Sequence, residues 1–151
     1  MDIQFRIEGL ERLRRATKNA EVYFRDELEK GLEASARHVQ DEAIKSILRG
    51  TKTGKTYKVG GVNRRASAPG EAPANQTGRL AGSFVTSLSR GTLSALVSAG
   101  RGLVNYARAL EFGTVNMEAR PFLFPAVERS RAWIEKRLNQ AVDRAIKRSG
   151  K

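Results

Sequence analysis

Tyr106-Ala-Arg-Ala-Leu-Glu-Phe-Gly-Thr114, followed two residues later by Met117-Glu-Ala-Arg-Pro-Phe-Leu-Phe-Pro-Ala126, is the stretch on which the reading of this chain turns. Tyr106, Leu110 and Phe112 are spaced to gather on one side of a short helical segment. Gly113 fits the positive-φ position that ends such a segment. Arg120 precedes Pro121, so its backbone is pushed toward an extended conformation. Phe122, Leu123 and Phe124 follow, and Pro125 suits the first turn of a new helix. Three large apolar residues between two prolines are expected to be buried, each contributing roughly 1.5–3 kcal/mol. Glu111 either pairs with Arg120 or Arg79 to lock the corner, or bonds a neighbouring subunit. An unpaired buried carboxylate would be costly.

Downstream, the pattern predicts a helix from about Pro125 to Arg148, with Val127, Ser130, Ile134, Leu138, Ala141 and Ala145 on its buried stripe and Trp133 beside it. Upstream, Phe84–Ser89 and Leu93–Ala99 read as two strands, with Arg90-Gly91 as the turn and glycine supplying positive φ. Leu93, Ala95, Val97 and Ala99 would point one way, Ser94 and Ser98 the other. Thr77 is placed to cap a short helix through Arg79 and Leu80. Nearer the amino end, Phe24, Leu28, Leu32, Ala36, Val39, Ala43 and Ile47 recur at helical steps, which predicts an amphipathic helix from Glu21 to Leu48, weakened slightly at Gly31. Ile3, Phe5 and Ile7 alternate as a strand, and Leu10–Asn19 reads as a further helix.

Between Arg49 and Asn75 the periodicity vanishes. Glycines and prolines accumulate there, and Lys52, Lys55, Lys58, Arg64 and Arg65 all precede the first acid, Glu71. Loops this long are uncommon inside compact domains and are usually functional or disordered. The stretch reads as a mobile arm, ordered on assembly, or as a plain surface loop, with room for a hairpin over Thr53–Val62. The whole is an α+β chain of one domain, residues 1–151, in which a small antiparallel sheet packs against a long helix of the amino-terminal half and a carboxy-terminal helix.

Twenty-eight Lys and Arg oppose 16 Asp and Glu, a net charge of +12. Such a field attracts polyanions or acidic protein faces. Aromatic residues are only 7% of the chain and sit in apolar patterns, which counts against a base-stacking platform. There is no cysteine, so disulfides and thiolate metal sites are excluded. No apolar run approaches a membrane span. The first residues lack a signal-peptide layout, which predicts a cytosolic product.

Enzymatic signatures are sparse. Gly50-Thr-Lys-Thr-Gly-Lys-Thr56 resembles a phosphate loop but has three residues between its glycines rather than four, and it follows a helix instead of a strand. His38 is the single histidine, too few for the usual zinc site. Asp41, Glu42, Glu111, Glu118 and Glu128 are the carboxylates a nuclease-like metal site would draw on, though their spacing does not demand it. No catalytic residue, metal ligand or cofactor is assigned.

The opening stretch, "YARALEFGT…ARPFLFPA", resembles the small neck and tail-completion proteins of long-tailed bacteriophages. Ser67-Ala-Pro-Gly-Glu-Ala-Pro-Ala-Asn-Gln-Thr-Gly-Arg-Leu80 agrees, because in that family a Pro-Gly-x-x-Pro segment followed by Thr-Gly-x-Leu precedes the sheet. The resemblance implies a non-enzymatic virion component, assembled in the host cytoplasm. It implies a homo-oligomeric ring, sixfold by tail symmetry, at the head–tail junction. Its neighbours would be other neck, connector and tail-tube proteins, with non-specific contact to DNA in the channel and none with a membrane. The signature residues so marked are Thr77, Gly78, Arg79, Leu80, Tyr106, Glu111, Phe112, Gly113, Thr114, Arg120, Pro121, Phe122, Leu123 and Pro125. The rival expectations are a basic nucleic-acid-binding protein and, more distantly, a metal-dependent hydrolase.

Overall fold

A computed structural model of the chain describes residues 2–6, 20–102 and 104–149. The Leu10–Asn19 helix expectation and Ile7 lie outside the described residues. Helix α1 (Glu21–Arg49) carries the expected apolar stripe, with Leu28, Leu32, Ala36, Val39, Ala43 and Ile47 all buried. It packs along helix α3 (Leu123–Ser149), the two running antiparallel. At one end Arg148 binds Glu27 at 2.6 Å and Asp26 at 2.5 Å, and Arg144 reaches Glu27 at 3.3 Å. Further along, the His38 and Trp133 rings stack with centroids 4.1 Å apart.

At Gly31 the helices pack closely. A Cβ there would stand 3.2 Å from both Ala141 Cβ and Leu138 Cδ2. The glycine that weakens α1 as an isolated helix therefore lets α3 approach it.

Strands β1 (Asp2–Arg6), β4 (Val85–Ser89) and β5 (Ser94–Ser98) form an antiparallel sheet in the order β1-β5-β4. Both β4 and β5 lie against α1. The register pairs Ser89 with Ser94, so the connecting loop is 90–93. Positive φ falls on Leu93 (47°), not on Gly91 as the turn reading expects. Leu93 is 2% exposed, and its burial offsets the cost of that conformation. Ser94 and Ser98 are buried as well, so central strand β5 is covered on both faces rather than one.

The segment after α1 contains a second, two-stranded sheet: β2 (Thr56–Val59) and β3 (Val62–Arg65), joined by Gly60-Gly61, both at positive φ. This hairpin sits three residues later than expected, and it is solvent-exposed on nearly every residue. Its base is tied down within the chain. Glu71 accepts Thr53 Oγ1 at 2.6 Å and the N–H groups of Thr53 at 2.9 Å and Ala68 at 2.8 Å. Lys52 Nζ donates to Ala72 O at 2.6 Å and to Ser46 O at 3.1 Å, at the end of α1. The base of the segment is thus held by the loop's own polar side chains. The phosphate-loop look-alike is part of this strap.

Candidate interaction site

The signature begins with helix α2 (Ala107–Phe112). Gly113 ends it at φ 75°, donating its N–H to Ala109 O at 2.8 Å. A side chain there would collide with Met117 O, only 2.8 Å from the Cβ position. Thr114 and Met117 exchange two backbone hydrogen bonds, which turns the chain back. Arg120 N–H then donates to Leu110 O at 2.6 Å, so Pro121 and Phe122 return alongside α2.

That return delivers the start of α3 to Glu111. Glu111 Oε2 accepts the N–H groups of Phe122 at 2.8 Å and Leu123 at 3.0 Å, and Oε1 accepts that of Phe124 at 2.7 Å. A helix leaves its first N–H groups without intrahelical partners. Here one carboxylate takes three of them, and the next residue, Pro125, has no N–H to satisfy. The carboxylate also sits at the positive end of the helix dipole. Neither ion pair expected of Glu111 forms. Arg120 instead donates through Nε to Ser67 O at 3.3 Å and through Nη1 to Glu118 O at 3.2 Å. At 4% exposure, Glu111 is compensated by backbone dipoles rather than by a cation.

The apolar residues divide. Phe122 and Leu123 are fully buried, Phe122 meeting Phe84 edge to face with centroids 5.8 Å apart. Phe124, however, is 59% exposed and Phe112 62% exposed, with Tyr106 at 41%. In so short a helix Ala107 and Glu111 take the inward face. Phe112, about 100° further round, turns outward. Phe124 is likewise one position past the buried pair. Val115 at the turn is fully exposed. The expectation that the tripeptide 122–124 and the α2 apolar residues all anchor the core is corrected accordingly.

The Thr77-Gly-Arg-Leu80 segment comes to the same face. Asn75, not Thr77, organises it: Asn75 Oδ1 accepts the Gly78 N–H at 2.9 Å, against 3.4 Å for Thr77 Oγ1 with Arg79 N–H. A single 3₁₀ turn over Ala81–Ser83 follows in place of the expected short helix. Leu80 is buried, while Arg79 is exposed. The hairpin is fastened to this segment by Arg64 Nη1 to Gln76 O at 3.0 Å and by Gln76 Nε2 to Tyr57 OH at 2.7 Å. The loop before it is fastened to the signature by Gly70 N–H to Ala119 O at 2.9 Å.

Between these pieces lies a cleft of about 620 Å³. Its floor and walls include Ile47, Pro73, Leu80 and Leu110, with Tyr106 and Met117 at the signature side. Both sequence motifs, remote in the chain, therefore line one cavity. Among the described residues, Arg79 and Arg120 also line it and no carboxylate does. Of the basic-loop residues, Lys52 belongs to the strap and burial holds its ammonium below the ordinary lysine value. Lys55, Lys58, Arg64 and Arg65 stay on the exposed arm.

The remaining carboxylates are not gathered. Glu42 pairs with Lys45 and Glu128 with Arg131. Among the described residues no three acidic or histidine side chains group as metal ligands, and no helix is long and apolar enough to cross a membrane. Comparison of the chain with protein-family models, curated proteins and solved structures finds no match.

Proposed function

We propose that this chain is a structural component of a tailed bacteriophage particle, forming a ring at the head–tail junction that completes the tail, joins it to the head, or both. The observation that carries this reading is the convergence of the two motif segments on one face, beside a projecting basic hairpin and an apolar corner left in solvent. Isolated two-stranded hairpins are marginal in water. Exposed apolar groups such as Phe112, Val115 and Phe124 are characteristic of surfaces that meet another protein. The head–tail junction is what the sequence resemblance implies. Ring closure would use unlike surfaces of successive copies, with the hairpin and the 106–125 corner as the docking parts.

The deciding experiment is electron microscopy of lysates from a phage or prophage in which this gene is disrupted. Filled heads beside separate tails are expected. Normal, fully joined particles would refute the assignment.

A second reading, non-specific nucleic-acid binding, draws on the arm, where Lys58, Arg64 and Arg65 are exposed together. It requires affinity for free DNA that falls steeply with salt as counterions are released. The assembly reading expects little affinity for free DNA.

A further inference from the structure

We infer that the cleft between the two motif segments binds an extended, acid-bearing peptide segment of a different protein, with an apolar side chain on its floor and a carboxylate against Arg79 and Arg120. The inference rests on the assembly reading only for the source of that segment; its chemistry stands on the cleft itself.

The cleft's volume, about 620 Å³, falls in the ~300–1,000 Å³ range of ligand clefts. Its floor is apolar through Ile47, Leu80 and Leu110, and among the described residues its lining contributes two guanidinium groups and no acid. Many basic residues on the helices already have partners: Lys30 with Asp26, Arg37 with Glu33, Arg131 with Glu128, Arg148 with Glu27. Among the described residues, neither Arg79 nor Arg120 has an ion-pair partner. Arg120 is oriented in advance by neutral carbonyls, those of Ser67 and Glu118. A planar guanidinium held in this way is suited to receive a carboxylate in a two-bond fork.

The apolar floor separates peptide from phosphate. A nucleic-acid strand would use the arginines but leave the floor empty, and among the described residues Tyr106 is the one aromatic ring lining the cleft, too few for a base-stacking track. Charge separates a foreign segment from a second copy. The arm of a neighbouring copy would bring Lys58, Arg64 and Arg65 toward two arginines, so within a ring it would meet the exposed Phe112, Val115 and Phe124 side of the corner and leave the cleft to another occupant. The complementary charge must come from another chain.

The test uses the full chain, fluorescently labelled, to sort random heptapeptides displayed on yeast at about 150 mM salt, where surface attraction is screened beyond about 8 Å. Enriched peptides are synthesised and titrated by fluorescence anisotropy. The expected peptides carry Asp or Glu near a large apolar residue. Arg79→Glu, at an exposed position that leaves the fold intact by circular dichroism, should weaken them at least roughly tenfold, and Tyr106→Ala should weaken them too. The inference is overturned if no acidic peptide is enriched, if Arg79→Glu binds the enriched peptides as well as the unaltered chain does, or if an oligothymidylate displaces them at equal concentration. Particle assembly is read separately by microscopy of Arg79→Glu lysates. Acid-selective peptide binding together with fully joined Arg79→Glu particles leaves the cleft's chemistry standing and removes its role in assembly.

Discussion

Replacing Glu111 tests the central joint of the fold. In Glu111→Ala three backbone N–H groups, those of Phe122, Leu123 and Phe124, lose their acceptor at once. Hydrogen bonds to a charged group are worth about 1.5–3 kcal/mol each, so the gross loss approaches roughly 5–9 kcal/mol. Against this stands the several-kcal/mol cost of keeping a carboxylate at 4% exposure, which the alanine removes. The N–H of Phe124 is only part-buried and water can take it over. The net expectation is a destabilisation of about 3–4 kcal/mol, above the ~0.5–2 kcal/mol of an ordinary helix cap. For a chain of 151 residues, at about 2–4 °C per kcal/mol, the melting temperature should fall by roughly 6–16 °C. Glu111→Gln is the sharper variant. Its carbonyl oxygen can still serve Phe122 and Leu123, but its amide group presents a donor to the Phe124 N–H, so about 1–2 kcal/mol should go. Urea unfolding followed by circular dichroism measures both. A Glu111→Ala midpoint within error of the unaltered chain would refute the idea that this carboxylate holds the start of α3.

Three further outcomes follow from the packing. Thr53 Oγ1, then the Ala68 and Thr53 N–H groups, hold the Glu71 carboxyl at about 2, below its ordinary 4.5. Because the folded value is depressed, this contribution is fully present above about 4.5 and is lost as pH falls toward 2. Amide-exchange protection at Thr53 and Ala68 should decline over that window, and Glu71→Ala should lack it at every pH. Gly31→Leu should cost about 2 kcal/mol by overpacking the α1–α3 crossing despite better helix propensity, and an unchanged unfolding midpoint would mean the helices have room to spare. Phe122→Asp puts a charge at a fully buried site and should abolish cooperative unfolding near room temperature; a normal melting curve would contradict the buried-anchor assignment.

Helix α1 was legible because its apolar residues recur from Phe24 to Ile47, about six turns, and the expected end falls one residue from the observed Arg49. The β4–β5 pair was legible for the same reason: alternation with a loop between. The arm was legible only as room for a hairpin, placed three residues early, because its strands are exposed on nearly every residue and carry no apolar alternation to fix their extent. Its strap joins Thr53 to a side chain 18 residues away, beyond any local rule. The cap of α3 left a fainter signal. Pro121 and Phe122 precede the helix, and neither side chain can accept a hydrogen bond, so an acceptor had to come from elsewhere. Glu111 was singled out by sequence, but a cation was the partner sought. The cleft was hidden altogether, since it exists only where residues 73–80 and 106–120 are folded together.

The strap at the base of the arm also sets where mechanical load would travel. Pull on the Gly60-Gly61 tip passes down both strands to Thr53 and Ala68, which Glu71 clasps together. Lys52 then carries it to Ser46 O, in the last turn of α1. The arm is therefore coupled to the end of the longest helix in the described chain. Cutting the strap, as in Glu71→Ala, would uncouple the arm from that helix.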